Sequence, residues 1–291
     1  MTLSLHHVAI NCVAPEQTAA FYREAVGFQV IPVGDGEPLW LAAPNAYLAL
    51  FEASGGAAPS DRQVCDAGIG HFCLQSGDGN GLWQKLADRG MRFNDKPVAL
   101  GTGAIYAYGR DPDHNLVEVE GVNAAPSDPL TWIAHLALVT PDIERLSDFY
   151  ARLLEQDTPR SGCFANSLFE NITGLADVDV SARWIDTDNL LVEIWQYHNP
   201  PTGPAQTTSD GMAGYRHAGF CCETLEGETV RLASVGIVTQ PCSDIGGYRT
   251  VQGRDPDGNR FVIMEIGAGP SPLSLCRLAD PSIVTKRAGK I

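Results

Sequence analysis

The chain has 291 residues, and its 20 Lys and Arg against 35 Asp and Glu give a formal net charge of −15. No basic cluster offsets this charge, which argues against binding to nucleic acid or to an anionic membrane surface. The eight cysteines are scattered, no basic and apolar signal pattern opens the chain, and no apolar run reaches the roughly 18 residues of a membrane span. We therefore expect a cytoplasmic protein of two domains.

The first predicted strand contains His7 and leads into a helix. Pro15 suits the first turn of this helix, where a missing N–H costs nothing, and Gly27 ends it. A second strand, "GHFCLQS", carries His71 and precedes the helical stretch "GLWQKLADRGM". The turn "GRDPDHN" then introduces a strand that carries Glu118.

The same order of elements returns in the second half. A strand led by His135 precedes a helix that Pro141 opens, and a strand with His217 precedes another helical stretch. The turn "GRDPDGN" leads into the last strand, and strand-like runs such as "AYLALFEA" and "NLLVEIWQY" lie between these elements. The repeat therefore predicts an α+β fold of four βαβββ modules.

Two modules are assigned to each predicted domain. The first domain comprises residues 1–122 and the second comprises residues 132–268. The intervening residues 123–131 contain Pro, Ser and Asp, which is typical of a linker. The Pro- and Gly-rich segment 269–291 is predicted to be a C-terminal tail.

Strand alternation places three polar residues on comparable strand faces. His7, His71 and Glu118 each lie on the polar face of their own strand. Two imidazoles and one carboxylate can hold a divalent metal and leave positions open for substrate or O₂. A strand histidine is more often a hydrogen-bonded structural residue, so spacing alone leaves metal binding and a structural role about equally open.

These motifs together resemble a known family. The His-led first strand, the "GH" strand and the "DPD(G/H)N" turn before a strand with Glu resemble the vicinal oxygen chelate superfamily. That superfamily includes glyoxalase I, methylmalonyl-CoA epimerase, the fosfomycin and bleomycin resistance proteins and the type I extradiol dioxygenases. The resemblance covers about residues 3–268 and implies paired βαβββ modules that curl into two half-open barrel domains. It does not select the reaction.

Four modules in one chain look most like the extradiol ring-cleaving dioxygenases. Carried over by position, the metal ligands are His7, His71 and Glu118, and Tyr108 falls where those enzymes place a catalytic tyrosine beside the substrate. The resemblance then implies Fe(II), O₂ and a small catechol-like, aromatic substrate. Two features depart from that pattern, because the complete triad lies in the first half and no His occurs between residues 79 and 110.

The second half leaves other ligand sets open. Val262 stands where Glu118 stands in the first half, and Glu265 comes three residues later, on the opposite strand face unless a bulge intervenes. The alternative ligands are therefore His135, Glu193 and His217, or Glu265 in a set with His7 and His217.

The leading hypothesis is thus an extradiol-type dioxygenase, with Tyr106, His114 or His198 as further acid or base candidates. The alternative is a glyoxalase- or epimerase-type lyase or isomerase. There, Zn(II), Ni(II), Co(II) or Mn(II) stabilises an enediolate, and Glu193 or Glu120 is the base. A third hypothesis is a non-catalytic protein that binds a small molecule, as resistance members do. A small molecule is the expected partner in each case, and a homo-oligomer stays open.

Overall fold

A computed structural model describes residues 3–34, 36, 38–55, 62–101, 103–122, 130–156, 159–165, 167–203, 211–267 and 271–284. Within these residues the chain folds into 17 strands, five α-helices and one short 3₁₀ helix. The α+β class and the four βαβββ modules are confirmed. The predicted linker 123–131 lies almost wholly outside the described residues.

Each module places a long strand and a helix before its other strands. The first module contains β1 (Ser4–Cys12), α1 (Pro15–Val26), β2 (Gln29–Ile31), β3 (Leu39–Ala42) and β4 (Tyr47–Glu52). The second contains β5 (Gly68–Ser76), α2 (Gly79–Asp88), β6 (Arg92–Phe93), β7 (Val98–Ala99), β8 (Ala104–Arg110) and β9 (Leu116–Val122). The boundaries of α1 follow the predicted signals, with Pro15 in its first turn and Gly27 in the left-handed conformation after its end.

The second half repeats this plan with one additional helix. The third module contains β10 (Thr131–Val139), α3 (Ile143–Leu153), β11 (Arg160–Phe164), α4 (Ser167–Thr173), β12 (Asp179–Asp186) and β13 (Leu191–Asn199). The fourth contains β14 (Gly214–Cys222), α5 (Leu225–Ser234), β15 (Gln240–Ile245), β16 (Tyr248–Arg254) and β17 (Arg260–Glu265). The 3₁₀ helix, Leu275–Arg277, belongs to the predicted tail. Pro141 does not open α3 as predicted, because Asp142 caps that helix and Ile143 is its first residue.

The modules associate across the two halves of the chain. An eight-stranded sheet, in the order β15-β16-β17-β14-β1-β4-β3-β2, joins the first and fourth modules. A nine-stranded sheet, in which β11-β12-β13-β10-β5-β9-β8-β6 are neighbours and β7 pairs with β8, joins the second and third. We expected consecutive modules to share a barrel, and this pairing is different. Strand periodicity encodes which face of a strand is buried but not which distant strand lies beside it.

Antiparallel pairs at the centre of each sheet join the modules. β1 pairs with β14 in the eight-stranded sheet, and β5 pairs with β10 in the nine-stranded sheet. We call the polar face of the eight-stranded sheet, which carries His7 and His217, cup A. The corresponding face of the nine-stranded sheet, which carries His71 and His135, is cup B. Side chains alternate along a strand, so the residues one or three positions after these four histidines point to the opposite faces of the sheets. Such residues belong to one hydrophobic cluster that spans all four modules: Val8, Phe72, Leu136 and Phe220.

The repeated DPD turns tie each sheet to a helix of the other sheet's modules. Asp111, which follows β8, accepts a hydrogen bond of 2.8 Å from the Tyr22 hydroxyl of α1. Asp255, which follows β16, accepts one of 3.2 Å from the Tyr150 hydroxyl of α3. Both carboxylates also accept backbone N–H bonds within their own turns. Each turn therefore fastens one sheet to a helix of the other sheet's modules.

Candidate metal centre

Four buried side chains converge in cup B. His71 on β5, Glu118 on β9, His135 on β10 and Glu193 on β13 each direct one ligand atom to a common point, and these atoms all lie within 4.8 Å of one another. All four residues are more than nine-tenths buried. Among the described residues this is the one group of His, Cys, Asp and Glu side chains that converges in this way.

Strand register produces this convergence. In the second module, Glu118 of β9 lies opposite the residue two positions after His71 on β5. In the third module, Glu193 of β13 lies opposite the residue two positions after His135 on β10. Because side chains alternate along a strand, each histidine and its module's glutamate face the same side. The antiparallel β5–β10 pair then brings the two His–Glu pairs together.

The distances describe a compact acceptor-rich centre. Glu118 Oε2 lies 2.8 Å from His135 Nε2 and 3.1 Å from His71 Nε2, and the two Nε2 atoms are 3.3 Å apart. Glu193 Oε2 lies 3.2 Å from His135 Nε2 and 3.9 Å from His71 Nε2. It is buried and has no hydrogen-bond partner among the described residues. A buried, unsatisfied carboxylate oxygen beside two imidazoles fits a divalent cation, which binds such atoms.

Burial and mutual attraction perturb the ionisation of these groups. Burial acts to raise the pKa of Glu118, but hydrogen bonds from His135 and His71 outweigh it and lower that pKa to about 2. Burial acts to lower the pKa of His135, but Glu193 and Glu118 outweigh it and raise that pKa to about 9. In the absence of a metal, a protonated His135 therefore compensates the buried carboxylates.

A third buried carboxylate, Glu120, lies on the same strand as Glu118. Glu120 accepts a hydrogen bond of 2.5 Å from Gln75 Nε2, and Gln75 Oε1 accepts one of 2.8 Å from the Trp132 indole. Burial, followed by the charge of Glu118, raises the pKa of Glu120 to about 7. Glu120 is thus held by its own network and is not one of the four converging groups.

Aromatic residues form a wall beside the centre. Trp184 Nε1 donates a hydrogen bond to Glu193 Oε1. The Phe169 ring stacks on Phe164 at 5.9 Å and on Trp195 at 5.6 Å, measured between centroids. Tyr108 belongs to the same apolar cluster, and its ring lies 4.9 Å from the His71 ring. The centre therefore combines charged ligand atoms with a large apolar surface.

The family follows from a comparison with protein-family models. The model described as Glyoxalase/Bleomycin resistance protein/Dioxygenase superfamily matches residues 4–119 and 132–263. The chain belongs to this superfamily. Members are mostly metalloenzymes that bind divalent metals and act on small molecules. The buried cluster in cup B is suitable for such a metal.

Solved structures of the superfamily share the fold. Glyoxalase I from Zea mays aligns with a TM-score of 0.65 and 18% identity, over 91% of this chain and 92% of that chain. A Bacillus subtilis protein proposed to be a dioxygenase aligns with a TM-score of 0.62 and 12% identity, over 99% of this chain and 94% of that chain. No curated protein matches. None of the described helices has the length and apolar character that a bilayer crossing needs.

The expected triad of His7, His71 and Glu118 is not brought together. His71 and Glu118 lie in cup B, whereas His7 lies in cup A, where its Nε2 is 3.0 Å from His217 Nε2. The physical reason is that β1 pairs with β14 and β4 rather than with β5. The alternative set of His135, Glu193 and His217 is divided in the same way, because His217 lies in cup A.

Cup A keeps the two histidines but lacks the two carboxylates. By register, Ala49 on β4 and Val262 on β17 occupy the positions that Glu193 and Glu118 occupy in cup B. The superfamily's paired-module plan therefore forms two cups. Among the described residues, cup B alone holds the four converging groups.

The cup A imidazoles bond to each other and to the tail. His6 Nδ1 lies 2.9 Å from His7 Nδ1, and His6 Nε2 donates to the Leu273 carbonyl at 2.7 Å. Burial lowers the pKa of His6 to about 4, and it lowers the pKa of His7 and of His217 well below the usual value. Leu273 is fully buried in the apolar cluster of cup A. The predicted tail thus packs into this cup.

Glu265 has a structural role outside both cups. Its Oε2 accepts a 2.8 Å hydrogen bond from the Leu225 N–H at the start of α5, and its Oε1 lies 3.1 Å from Arg249 Nη1. A carboxylate at a helix N-terminus satisfies a free N–H and interacts favourably with the helix dipole. The set of His7, His217 and Glu265 is therefore not brought together. Val262 faces cup A, so Glu265, three residues later on β17, points to the opposite face.

The other candidates lie at different distances from the centre. Tyr108 pairs with Glu118 across β8 and β9, so it stands beside the cluster, and its catalytic role stays a prediction. His198 is exposed and lies 2.8 Å from Ser181 Oγ, and His114 is near Arg92 in the DPD turn. The sequence analysis did not predict that His71 and Glu118 lie together with His135 and Glu193. One signal was present, because the sequence Leu-Val-Glu occurs at residues 116–118 and 191–193, in the last strands of the second and third modules, whereas Ala49 and Val262 take the corresponding positions in the first and fourth.

Proposed function

We propose that the protein is a metal-dependent lyase or isomerase of the glyoxalase type, which acts on a small molecule with two neighbouring oxygen atoms. The observation that carries this proposal is the second carboxylate in the centre, Glu193. The dioxygenase hypothesis needs two histidines and one carboxylate, whereas cup B contains two of each. The extra carboxylate supplies a group that can move a proton.

The ligand set supports a borderline divalent ion. His71 and His135 offer imidazole nitrogens, and Glu118 and Glu193 offer two negative charges that neutralise the charge of the ion. Zn(II), Ni(II), Co(II) and Mn(II) suit these donors, and Fe(II) is compatible with them. Such an ion would polarise the oxygen atoms of a bound substrate and increase the acidity of the neighbouring C–H bond.

The two carboxylates differ in their surroundings, which supports different roles. Glu118 Oε2 contacts both imidazoles at 2.8 and 3.1 Å, so Glu118 is the tighter ligand. Glu193 Oε2 has no hydrogen-bond partner among the described residues and contacts His135 at 3.2 Å. We assign to Glu193 Oε2 the removal and return of the substrate proton, since a general base needs a free lone pair within reach of the substrate.

The aromatic wall supports a substrate with an apolar or aromatic substituent. Phe164, Phe169, Trp184 and Tyr108 belong to one apolar cluster beside cup B, in which Trp184 donates to Glu193 and Tyr108 lies next to His71. Pockets for small molecules combine apolar walls with a few convergent polar groups, and cup B has both. In this binding mode the two oxygen atoms of the substrate face the histidines and the substituent contacts the aromatic rings.

A second candidate is the extradiol-type dioxygenase. The observation in its favour is that His71, His135 and Glu118 by themselves form a set of two histidines and one carboxylate, with Tyr108 beside His71. In that reaction Tyr108 would donate to or orient the bound substrate, and burial keeps its pKa well above the usual value, so it stays protonated.

One experiment separates these functions. The metal-free protein is loaded in turn with Zn(II), Ni(II), Co(II), Mn(II) or Fe(II), and each form is assayed under nitrogen and under air. Hemithioacetals, 2-keto thioesters and catechols with aromatic substituents are the test substrates. Turnover under nitrogen that Glu193→Gln lowers at least a hundredfold supports the lyase or isomerase. O₂ consumption with Fe(II) supports the dioxygenase, and ligand binding without turnover by any form would refute both.

A further inference from the structure

We propose that Trp184 is a positioning residue, whose indole N–H holds one oxygen of Glu193 so that the other oxygen faces the two imidazoles of cup B. This inference deepens the proposed function and rests on the metal centre that it requires. Trp184 is not itself one of the converging groups. It acts through Glu193.

The contact between the two residues is direct. Trp184 lies opposite Glu193 in the antiparallel pair of β12 and β13, and its Nε1 donates to Glu193 Oε1. The other oxygen, Oε2, is consequently oriented toward His135 at 3.2 Å and His71 at 3.9 Å. One carboxylate oxygen thus serves as an anchor, and the other is available to the centre.

The surrounding residues hold the indole ring in this orientation. Gly162 of β11 leaves the space that the ring needs, because a Cβ at that position would lie 2.8 Å from the far edge of the indole. The rings of Phe164 and Trp195 contact the indole edge-on, at centroid distances of 6.1 and 6.3 Å. The Arg160 guanidinium lies over the indole, 6.0 Å from its centroid. Four neighbours therefore restrict rotation of the ring.

The hydrogen bond distinguishes Glu193 from Glu118. Among the described residues the two imidazoles contact Glu118 Oε2, whereas Glu193 is also held from outside the centre by the indole. With the indole donor on Oε1, Oε2 is the oxygen of Glu193 that would face a metal ion. Anchored in this way, Glu193 would keep Oε2 directed at the centre, where it would hold a metal ion or a proton.

The test compares two tryptophan variants by metal affinity. Trp184→Phe keeps an aromatic ring in the pocket but removes the N–H, and Trp184→Leu removes both. The matched control is Trp83→Phe, because Trp83 lies on α2, packs against the large apolar cluster outside cup B, and has an Nε1 that is buried without a hydrogen-bond partner among the described residues. Affinity for Zn(II) is measured by competition with a chromophoric chelator, a readout that needs no turnover.

We expect Trp184→Phe and Trp184→Leu to lose Zn(II) affinity by a similar factor, about tenfold or more, as is typical when a group that orients a metal ligand is removed. Trp83→Phe should keep the affinity of the unaltered protein within about twofold. With a substrate that is turned over, Trp184→Phe should lower kcat with little change in KM. A spectroscopic check is the Co(II) visible absorption, which should change in both Trp184 variants and not in Trp83→Phe.

The outcomes separate this inference from the proposed function. If Trp184→Phe binds Zn(II) as tightly as the unaltered protein while Trp184→Leu does not, ring packing is what matters and the inference is wrong. If the affinity falls as expected but no lyase or isomerase activity is found, the positioning role stands and the proposed reaction fails. If the unaltered protein binds no divalent metal, both are wrong.

Discussion

Loading the metal-free centre with Zn(II) should release about one proton per chain at pH 8. The pKa of His135 is raised to about 9 by Glu193 and Glu118, so its imidazole is mostly protonated at that pH. A metal ion needs the neutral ring, and the proton must leave when His135 Nε2 binds. Glu120, with a pKa of about 7, is largely ionised at pH 8 and contributes little to the release.

The size of the effect follows from the difference between pH 8 and a pKa of about 9. One unit corresponds to about 1.4 kcal/mol, so competition with the proton weakens Zn(II) binding about tenfold at pH 8 and about a further tenfold at pH 7. Calorimetric titration in two buffers with different enthalpies of protonation measures the proton count directly. Glu193→Gln removes the charge that contributes most to raising this pKa, so it should reduce the release.

This reasoning would be refuted by a release below about 0.3 protons at pH 8. It would also be refuted by a Zn(II) affinity that does not change between pH 7 and pH 8. Either result would mean that His135 is neutral in the metal-free protein or is not a ligand. The two can be distinguished with His135→Ala, which leaves Zn(II) affinity unchanged only if His135 is not a ligand.

Three further predictions follow from the same geometry. In the metal-free protein, the raised pKa of His135 stabilises the fold fully below its unfolded pKa of 6.5, and this stabilisation is lost as the pH rises through about 9. Urea unfolding should therefore show a loss of about 3 kcal/mol in the free energy of unfolding across that range. Bound Zn(II) should prevent this loss. Elemental analysis should find about one ion per chain, which His135→Ala removes and His7→Ala or His217→Ala does not, since cup A has no carboxylates at the matching positions. Tyr22→Phe should lower stability by about 1–3 kcal/mol in thermal unfolding, because the buried Asp111 carboxylate loses a donor, while metal content stays the same; a loss of metal would contradict the separation of the turn from the centre.

The four modules could be predicted because their signals are local. Proline at the first turn of α1, glycine after it and alternating apolar residues in the strands depend on neighbours within a few positions. The alternation also placed His71 and Glu118 on the polar faces of their strands, and in the structure these two faces form one side of the sheet. It indicated that Glu265 points away from Val262, and in the structure Glu265 binds the N-terminus of α5.

The composition of the centre could not be predicted in the same way. His71 and His135 are separated by a linker and lie in different halves of the chain, but β5 and β10 are neighbours in one sheet. That pairing depends on which apolar faces bury each other over long sequence separations, and no local pattern records it. The hydrogen bond from Trp184 to Glu193 depends on a further pairing, of β12 with β13, and on the space above Gly162.

The two DPD turns show both levels together. His114 and Gly258 occupy the same position in the two turns, and both have a positive φ, 66° and 87°. The turn chemistry is local, so the sequence by itself determined that two turns of one kind precede two strands. That the first strand delivers Glu118 to a cluster with residues of the other half was decided by the tertiary structure. A strand's side-chain period is set by its own backbone, whereas its neighbour is set by the burial of the whole core.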